Sequence, residues 1–319
     1  MRVGVVGGGI AGLAASVAVS HFSNAEVVLF ERHRGVRAGV GLALNLAPNG
    51  MRVLDLLGLA DRVIDQGCVL RNWEMGHANG EIITQFPLRF EQDYGYPMVA
   101  IRRDLLVNIL FTAAVNAGVD LQFGREVTGV HQRSGGVGIG FVDGTAEYAD
   151  VLAACDGAHS RIKAQLLGGR PAVLTGQAQS FGISQLGGQT ALMKDTFITR
   201  LGVGNYFGGY DIGHGEVLWF FGYNFGGRVR KLGAGGDLTA GYPLHAVKQL
   251  TLEWDRPVPR VIDSANRFAA LAVEDQRPPR TLTLGRVALL GDAGHPVQPL
   301  FRAGREPGPG RCNHPWPSA

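Results

Sequence analysis

The sequence predicts an α/β protein: a glycine-loop (Rossmann-like) nucleotide-binding domain interleaved with a mostly antiparallel sheet. Three observations predict it. Arg2-Val3-Gly4-Val5-Val6 runs into Gly7-Gly8-Gly9-Ile10-Ala11-Gly12, and Glu31 closes the next apolar run. Residues 173–224 alternate short apolar and aromatic runs with glycines. Val287-Ala288-Leu289-Leu290 then returns as a buried strand.

Each element follows from its pattern. Residues 2–6 read as a buried parallel strand, and the small apolar residues 10–20 suit a helix packed closely on a sheet. Residues 26–31 form the second strand, which completes the opening of a doubly wound sheet. Residues 48–57 read as a helix with Met51, Leu54 and Leu57 on one face. Residues 104–117 read as another, with Gly118 closing it. Strand-like runs follow at 120–123, 138–142 and 151–155. Between 173 and 224, runs such as Glu216-Val217-Leu218-Trp219-Phe220-Phe221 suggest antiparallel strands. Aromatics crowd this region and its end: Phe181, Phe197, Tyr206, Phe207, Tyr210, Trp219, Phe220, Phe221, Tyr223 and Phe225. They read as ordinary core together with one wall of a substrate pocket. Residues 226–241 are polar and glycine-rich, a mobile loop by composition, and 244–254 read as a helix. Residues 280–291 return to the first sheet.

Composition narrows the function classes. A chain of 319 residues, 45% hydrophobic, has enough apolar content for one large or two intimate domains. The net charge is only +3 and the basic residues are scattered, so no nucleic-acid partner is expected. Cys68, Cys155 and Cys312 form no CxxC pair and no metal-ligand spacing. They read as idle thiols in a reducing compartment, and a cytoplasmic location is expected. The apolar start resembles a signal peptide only until the glycines and Glu31 are counted. No apolar run reaches the ~20 residues that span a bilayer.

Three segments carry the chemistry. In the first, a helix N-terminus offers unpaired N–H groups and partial positive charge to a pyrophosphate. Gly7 makes the tight turn, Gly9 lets the backbone approach the phosphate, and Gly12 lets the helix lie close to the strand. Glu31 stands where a carboxylate accepts hydrogen bonds from a ribose. The alternative is a glycine-rich turn in an unrelated α/β protein. The second segment is Asp156-Gly157-Ala158-His159-Ser160-Arg161, at the end of the strand 151–155. The third is Gly291-Asp292-Ala293-Gly294-His295-Pro296.

In this order the three segments resemble the FAD-dependent monooxygenases of the aromatic-hydroxylase type (group A). The second is similar to the family's Asp-Gly-x-x-Ser-x-x-Arg fingerprint, with Lys163 in place of the final arginine. Lysine keeps the charge but loses the planar fork, which weakens the case for pyridine-nucleotide contacts there. Arg102-Arg103-Asp104-Leu105-Leu106 is similar to the family's Arg-x-Asp-Leu-Leu, and Gly39-Val40-Gly41 and Ala47-Pro48-Asn49 to its flavin-side loop and following helix. The resemblance covers about residues 1–300.

The resemblance implies a first FAD-binding part at 1–172, a mostly antiparallel substrate domain at 173–279, and a return of the FAD domain at 280–300. It implies FAD as resident cofactor, with Gly7, Gly9, Ala11, Gly12, Glu31, Arg32, Arg102, Asp156 and Asp292 as its binding residues. Asp292 would face the ribityl chain, and Arg102 the ribityl-phosphate region. NAD(P)H would be the co-substrate and O2 the oxidant, with one oxygen passing through a flavin hydroperoxide to a small, electron-rich, aromatic substrate. No protein nucleophile, catalytic triad or metal cluster is visible, as suits chemistry carried by a cofactor. The alternatives are a related flavoenzyme, an epoxidase or flavin-dependent reductase, and a non-enzymatic remnant.

The tail, 301–319, departs from the family. There the family continues with a Gly-Gln-Gly-x-Asn loop and a long helix, whereas Pro307, Pro309, Pro315 and Pro317 forbid a regular helix here. Codons exist for Phe301 onward that, read one base later, give Ser-Gly-Gln-Gly-Gly-Asn-Gln-Ala-Leu-Glu-Asp-Ala-Ile. The expectation is a frameshift after about Leu300 that removes the flavin-facing loop and covering helix and impairs the chain.

Overall fold

The structure, a computed structural model, describes residues 1–35, 42–169, 172–187, 193–224 and 243–297. The expectations for residues 39–41, the loop 226–241, Phe225, Cys312 and the tail 301–319 lie outside the described residues.

In chain order the first elements are β1 (Arg2–Val6), α1 (Ile10–Phe22), β2 (Glu26–Glu31), β3 (Ala43–Leu46), α2 (Pro48–Leu56) and α3 (Ala60–Gln66). Then come β4 (Cys68–Leu70), β5 (Asn72–His77), β6 (Ile82–Pro87), α4 (Phe90–Tyr94), β7 (Met98–Arg102) and α5 (Arg103–Asn116). β8 (Asp120–Phe123), β9 (Val127–Gln132), β10 (Val137–Phe141), β11 (Ala146–Ala149), β12 (Val151–Ala154) and α6 (Arg161–Leu167) complete the first half. The second half holds β13 (Val173–Gln185), β14 (Thr196–Leu201), β15 (Asn205–Asp211), β16 (Glu216–Asn224), α7 (Leu244–Leu250), α8 (Pro257–Asp263), β17 (Ala265–Asp275), β18 (Thr283–Leu284) and β19 (Val287–Leu289).

The first sheet runs β18-β19-β12-β1-β2-β8, and all its pairs are parallel except β18 with β19. Both faces of its centre are covered, which is why its strands read as continuous apolar runs. Val5 and Leu29 pack with Leu13 and Val17 of α1 and Leu106, Ile109 and Leu110 of α5. Val6, Val28 and Phe30 pack on the opposite side with Val130, Ile139 and Phe141 of the β9–β11 meander and Ile162 of α6. The return strand predicted at 287–290 is β19, parallel to β12.

The second sheet runs β17-β13-β16-β15-β14-β5-β6 and is antiparallel except for β14 with β5. It therefore takes in residues 72–87, from inside the segment 1–172. Its outer face packs on α7 and α8 through Trp219, Phe221, Val247, Val258 and Ile262. Its inner face packs on a small sheet, β3-β7-β4, through Ile183, Phe197, Tyr210, Leu218 and Phe220 against Ala43, Leu70, Ala100 and Met98. The small sheet is thus the layer between the two large ones.

Glycine has a particular use in this second sheet. A Cβ on Gly182 would overlap the Trp219 ring, one on Gly208 the Phe220 ring, and one on Gly222 the Tyr206 ring. Each aromatic lies flat across a bare glycine on the neighbouring strand, which gives the ring a surface to cover. The glycine punctuation of the sequence thus has two uses: Gly182, Gly208 and Gly222 are a packing device inside strands, while Gly204, Gly213 and Gly215, all at positive φ, mark the turns between them. The predicted helix at 244–254 stops at Leu250, and α8 and β17 follow where the sequence offered no clear period. Arg200, 4% exposed in its side chain, pairs with Glu74 at 2.6 Å and Asp255 at 3.3 Å, tying β14 to β5 and to the entry of α8.

Candidate cofactor site

The glycine loop is built as its residues require. Gly7 has φ +105°, and its N–H donates to the Phe30 carbonyl at 2.8 Å. A Cβ there would overlap the Cys155 carbonyl oxygen. A Cβ on Gly12 would overlap the Gly7 carbonyl oxygen, so only glycine lets α1 lie this close to the loop. Gly9 is the N-cap of α1, has no side-chain cap, and is followed by a first turn without acidic residues. The end of the helix therefore keeps free N–H groups and its partial positive charge. A Cβ on Gly9 would meet nothing within 4 Å: the loop faces open space.

That space is a cavity of about 320 Å³. Of the residues expected from sequence, Gly7, Gly9, Glu31, Arg32 and Asp156 line it. Glu31 ends β2, and both its oxygens are engaged: Gly8 N–H donates to Oε2 at 2.7 Å and His33 N–H to Oε1 at 2.9 Å. Each carboxylate oxygen has a second lone pair to offer a hydroxyl. Asp156 ends the run that follows β12. Its Oδ2 accepts from the Ile162 N–H at 3.3 Å, and its Oδ1 is buried with no partner.

The remaining expected residues lie around this cavity. Gly291 has φ +56°, and a Cβ on it would come 2.7 Å from the Ala11 Cβ, so the third segment abuts the start of α1. Asp292, exposed in the turn after β19, shares a cationic neighbour with Asp156. That neighbour is Lys163. Burial holds its ammonium below the usual lysine range, against the opposing pull of Asp156 and Asp292. Its Nζ donates to the Ala158 carbonyl and to Gln276 Oε1, both at 3.1 Å. Arg102 does not line the cavity. It forms a two-pronged pair with Asp104 and reaches Glu216 of β16 at 3.2 Å, joining the small sheet to the large one. Hydrogen bonding to Asp104 raises its pKa further and lowers that of Asp104.

Sequence reasoning missed two arginines. Arg103 and Arg125 line the cavity, and each has a buried Nε without a partner. Arg103 was hidden by its neighbour in the Arg102-Arg103 pair, and Arg125 belongs to no motif. A second cavity, about 450 Å³, adjoins at His159 and is lined by Lys163, Gln276, Arg277 and Arg280. The two described thiols stay protonated: burial pushes both Cys68 and Cys155 up to about 12, and Cys155 contributes to the cavity as lining only. Among the described residues no group of His, Cys, Asp and Glu could hold a metal, and no helix is long and apolar enough to cross a membrane.

The cavity fits the adenosine diphosphate portion of a flavin dinucleotide by its own chemistry. It has an uncapped helix N-terminus, a carboxylate at the end of β2, and buried polar atoms that lack partners. Comparisons with known proteins agree. Residues 1–186 match the family model described as FAD binding domain. The chain is 31% identical over 308 residues to a 3-amino-4-hydroxybenzoate 2-monooxygenase of Streptomyces cremeus, covering 95% of this chain and 75% of the relative. It is 29% identical to an FAD-dependent urate hydroxylase of Klebsiella pneumoniae, covering 94% and 76%. The crystal structure of Klebsiella pneumoniae HpxO complexed with FAD and uric acid matches with a TM-score of 0.80 at 26% identity, covering 94% of this chain and 74% of that one. The glycine loop, the shared FAD-binding domain and the monooxygenase relatives lead to one conclusion: this chain belongs to the FAD-dependent, aromatic-hydroxylase-like monooxygenases.

Proposed function

We propose that the protein hydroxylates a small aromatic or heteroaromatic ring, with NAD(P)H as reductant and O2 as oxygen source. In balance, ring C–H, NAD(P)H, H⁺ and O2 give ring C–OH, NAD(P)⁺ and water. The observation that carries this reading is the meeting of all three sequence segments at one end of the first sheet, around the open N-terminus of α1. FAD, when bound, supplies the redox chemistry and the activation of oxygen.

The chain's own residues bind and orient. Gly7, Gly9 and the α1 N-terminus would hold the pyrophosphate, with Ala11 and Gly12 setting the close packing beneath it. Glu31 and Arg32 would hold the ribose side. Asp156, Asp292 and, from the small sheet, Arg102 would lie along the remainder. The inner face of the second sheet would wall the ring's site and exclude water. Use of NAD(P)H is supported by the family and by the basic second cavity at His159, whose cations suit nucleotide phosphates. The domain division at 173 and 280 remains part of this proposal, with residues 72–87 assigned to the substrate sheet.

The test is direct. The purified protein should carry a flavin absorbance spectrum, bleach anaerobically with NADH or NADPH, and consume O2 faster with a hydroxylatable ring. Colourless protein that takes up no FAD sinks the reading. Two substitutions locate the site. Glu31→Ala should weaken FAD binding by about 1.5–3 kcal/mol, because a charge-assisted hydrogen bond is lost; a fluorescence titration measures it, and an unchanged affinity removes Glu31 from the ribose. Asp292→Ala should lower flavin content or slow flavin reduction in stopped flow. Normal values for both would take Asp292 out of the site.

A further inference from the structure

The inner face of the second sheet carries a row that its packing does not explain. Register places Gln179 of β13, Gly222 of β16 and Tyr206 of β15 side by side on three adjacent strands. All three share the face of Phe181, Phe220 and Tyr210, which looks toward the small sheet. Gln179 is 1% exposed, yet its Oε1 has no hydrogen-bond partner. The Tyr206 hydroxyl is likewise buried and unpartnered. Strands two apart are about 10 Å apart at the backbone. Gly222, lacking a side chain, lets the Tyr206 ring lie across that gap: its hydroxyl is 2.6 Å from where a Gly222 Cβ would be. The opposite wall repeats the pattern. Asn45 lies on the face of β3 that carries Ala43, and its Oδ1 is buried without a partner.

An orphaned buried polar atom costs about 1–3 kcal/mol. Phenylalanine and leucine would fill the same space at positions 206 and 179 without that deficit. The same sheet leaves Ser180 Oγ and Asn205 Oδ1 without partners on its outer face, but those lie in different rows, beside Phe221 and Tyr223. Only on the inner face do two such atoms share one row across a bare glycine, placed to meet one polar ligand. We propose that Gln179 and Tyr206 form an uncharged hydrogen-bonding pair that recognises a neutral ring carrying N–H beside C=O, a cyclic amide of the hydroxy-heteroaromatic class. Gln179 Oε1 accepts the ring N–H, and the Tyr206 O–H donates to the ring carbonyl.

Charge supports this choice over an aromatic acid. From β17 to β14, the rows of this face that contain Ala269, Phe181, Phe220, Gly208 and Thr199, and Leu271, Gln179, Gly222, Tyr206 and Leu201, hold no cation. Arg267 shares the face but stands beyond them, where its field acts on Asp104, and Arg102 is held by Asp104 and Glu216. Burial also pushes the Tyr206 phenol up to about 12, so it remains a neutral donor at physiological pH. Among the described residues of these two rows, no cation would pair a carboxylate placed there.

This inference rests on the monooxygenase reading for the ring's presence, and its test separates the two. Flavin-loaded wild type, Gln179→Leu and Tyr206→Phe are titrated calorimetrically with 2-quinolone, 2-naphthoate and naphthalene, rings of one size. Wild type should prefer 2-quinolone to 2-naphthoate at least tenfold. Each substitution should weaken 2-quinolone about tenfold, the worth of one hydrogen bond of about 1.4 kcal/mol, and leave naphthalene unchanged. Without ligand, both variants should melt at or above the wild-type temperature and keep full flavin content. Flat 2-quinolone affinities, preference for the carboxylate, no 2-quinolone binding, or a clear fall in melting temperature in both variants overturns the pair. Protein that holds no flavin but shows the same affinity pattern leaves the pair standing and overturns the flavin reading instead.

Discussion

Gly12→Ala and Gly9→Ala should both empty the protein of FAD, but for different reasons that a melting curve separates. Alanine is favoured over glycine in a helix by about 1 kcal/mol, and Gly12 lies in the first turn of α1. Propensity alone would predict stabilisation. Instead the new methyl would sit inside the Gly7 carbonyl oxygen, with Cys155 Cβ at 3.4 Å on another side. Backbone cannot step aside as a side chain can, so the helix must lift from the loop. We expect Gly12→Ala to lose about 3 kcal/mol of stability along with the flavin. Gly9 has φ −82° and ψ −174°, ordinary extended backbone, and open space where its Cβ would stand. Gly9→Ala should therefore leave the melting temperature of the flavin-free protein unchanged while cutting FAD affinity. Equal melting temperatures for the two variants would show that the Gly12 contact is not a constraint.

Trp219→Ala should be the most damaging single change in the second sheet. Trp219 is fully buried, donates from Nε1 to the Ser184 hydroxyl at 2.9 Å, lies flat on Gly182 and packs against Phe268. Ser184 in turn hydrogen-bonds the Val261 carbonyl at the end of α8. Truncation opens a cavity that Gly182 cannot help to fill, at a cost of about 3–5 kcal/mol. The check is the urea midpoint at constant slope. A loss under about 1 kcal/mol would mean that the sheet and α8 collapse onto one another. Trp219→Phe should fall between, keeping most of the ring and losing the hydrogen bond.

The nucleotide half was legible almost to the residue because its chemistry is local. A strand covered on both faces must be apolar throughout, a tight turn must use glycine, and the acid must follow at the end of the next strand. Residues 2–6 and 26–31 were read at their observed limits for that reason, and Gly7, Gly9, Glu31 and Asp156 fall on one cavity. The parts that escaped depend on distant pairing. β5 reads Asn-Trp-Glu-Met-Gly-His, and β6 is exposed on both faces, so neither shows the alternation of a half-buried strand. β5 becomes sheet through its register with β14, and β6 through its pairing with β5. Arg103 opens α5 and Arg125 lies in the connection between β8 and β9, with no spacing rule to tie them. Arg102 was assigned by motif, and its geometry is that of a strut between sheets, held by Asp104 and Glu216.

The capture of β5 and β6 by the second sheet has a consequence for how the chain can be cut and how it folds. The parallel pair β14–β5 joins residues more than 120 positions apart, and β19 closes the first sheet only after the whole second sheet has been threaded between. Such long-range closures are slow to form, because loop entropy is lost before any strand pairing compensates for it. They also mean that a gene fragment ending near 173 would carry two strands with no sheet to join, and a fragment beginning there would lack the edge those strands protect. Neither piece should refold alone. Mixed together, they should recover a native circular-dichroism spectrum that neither shows by itself.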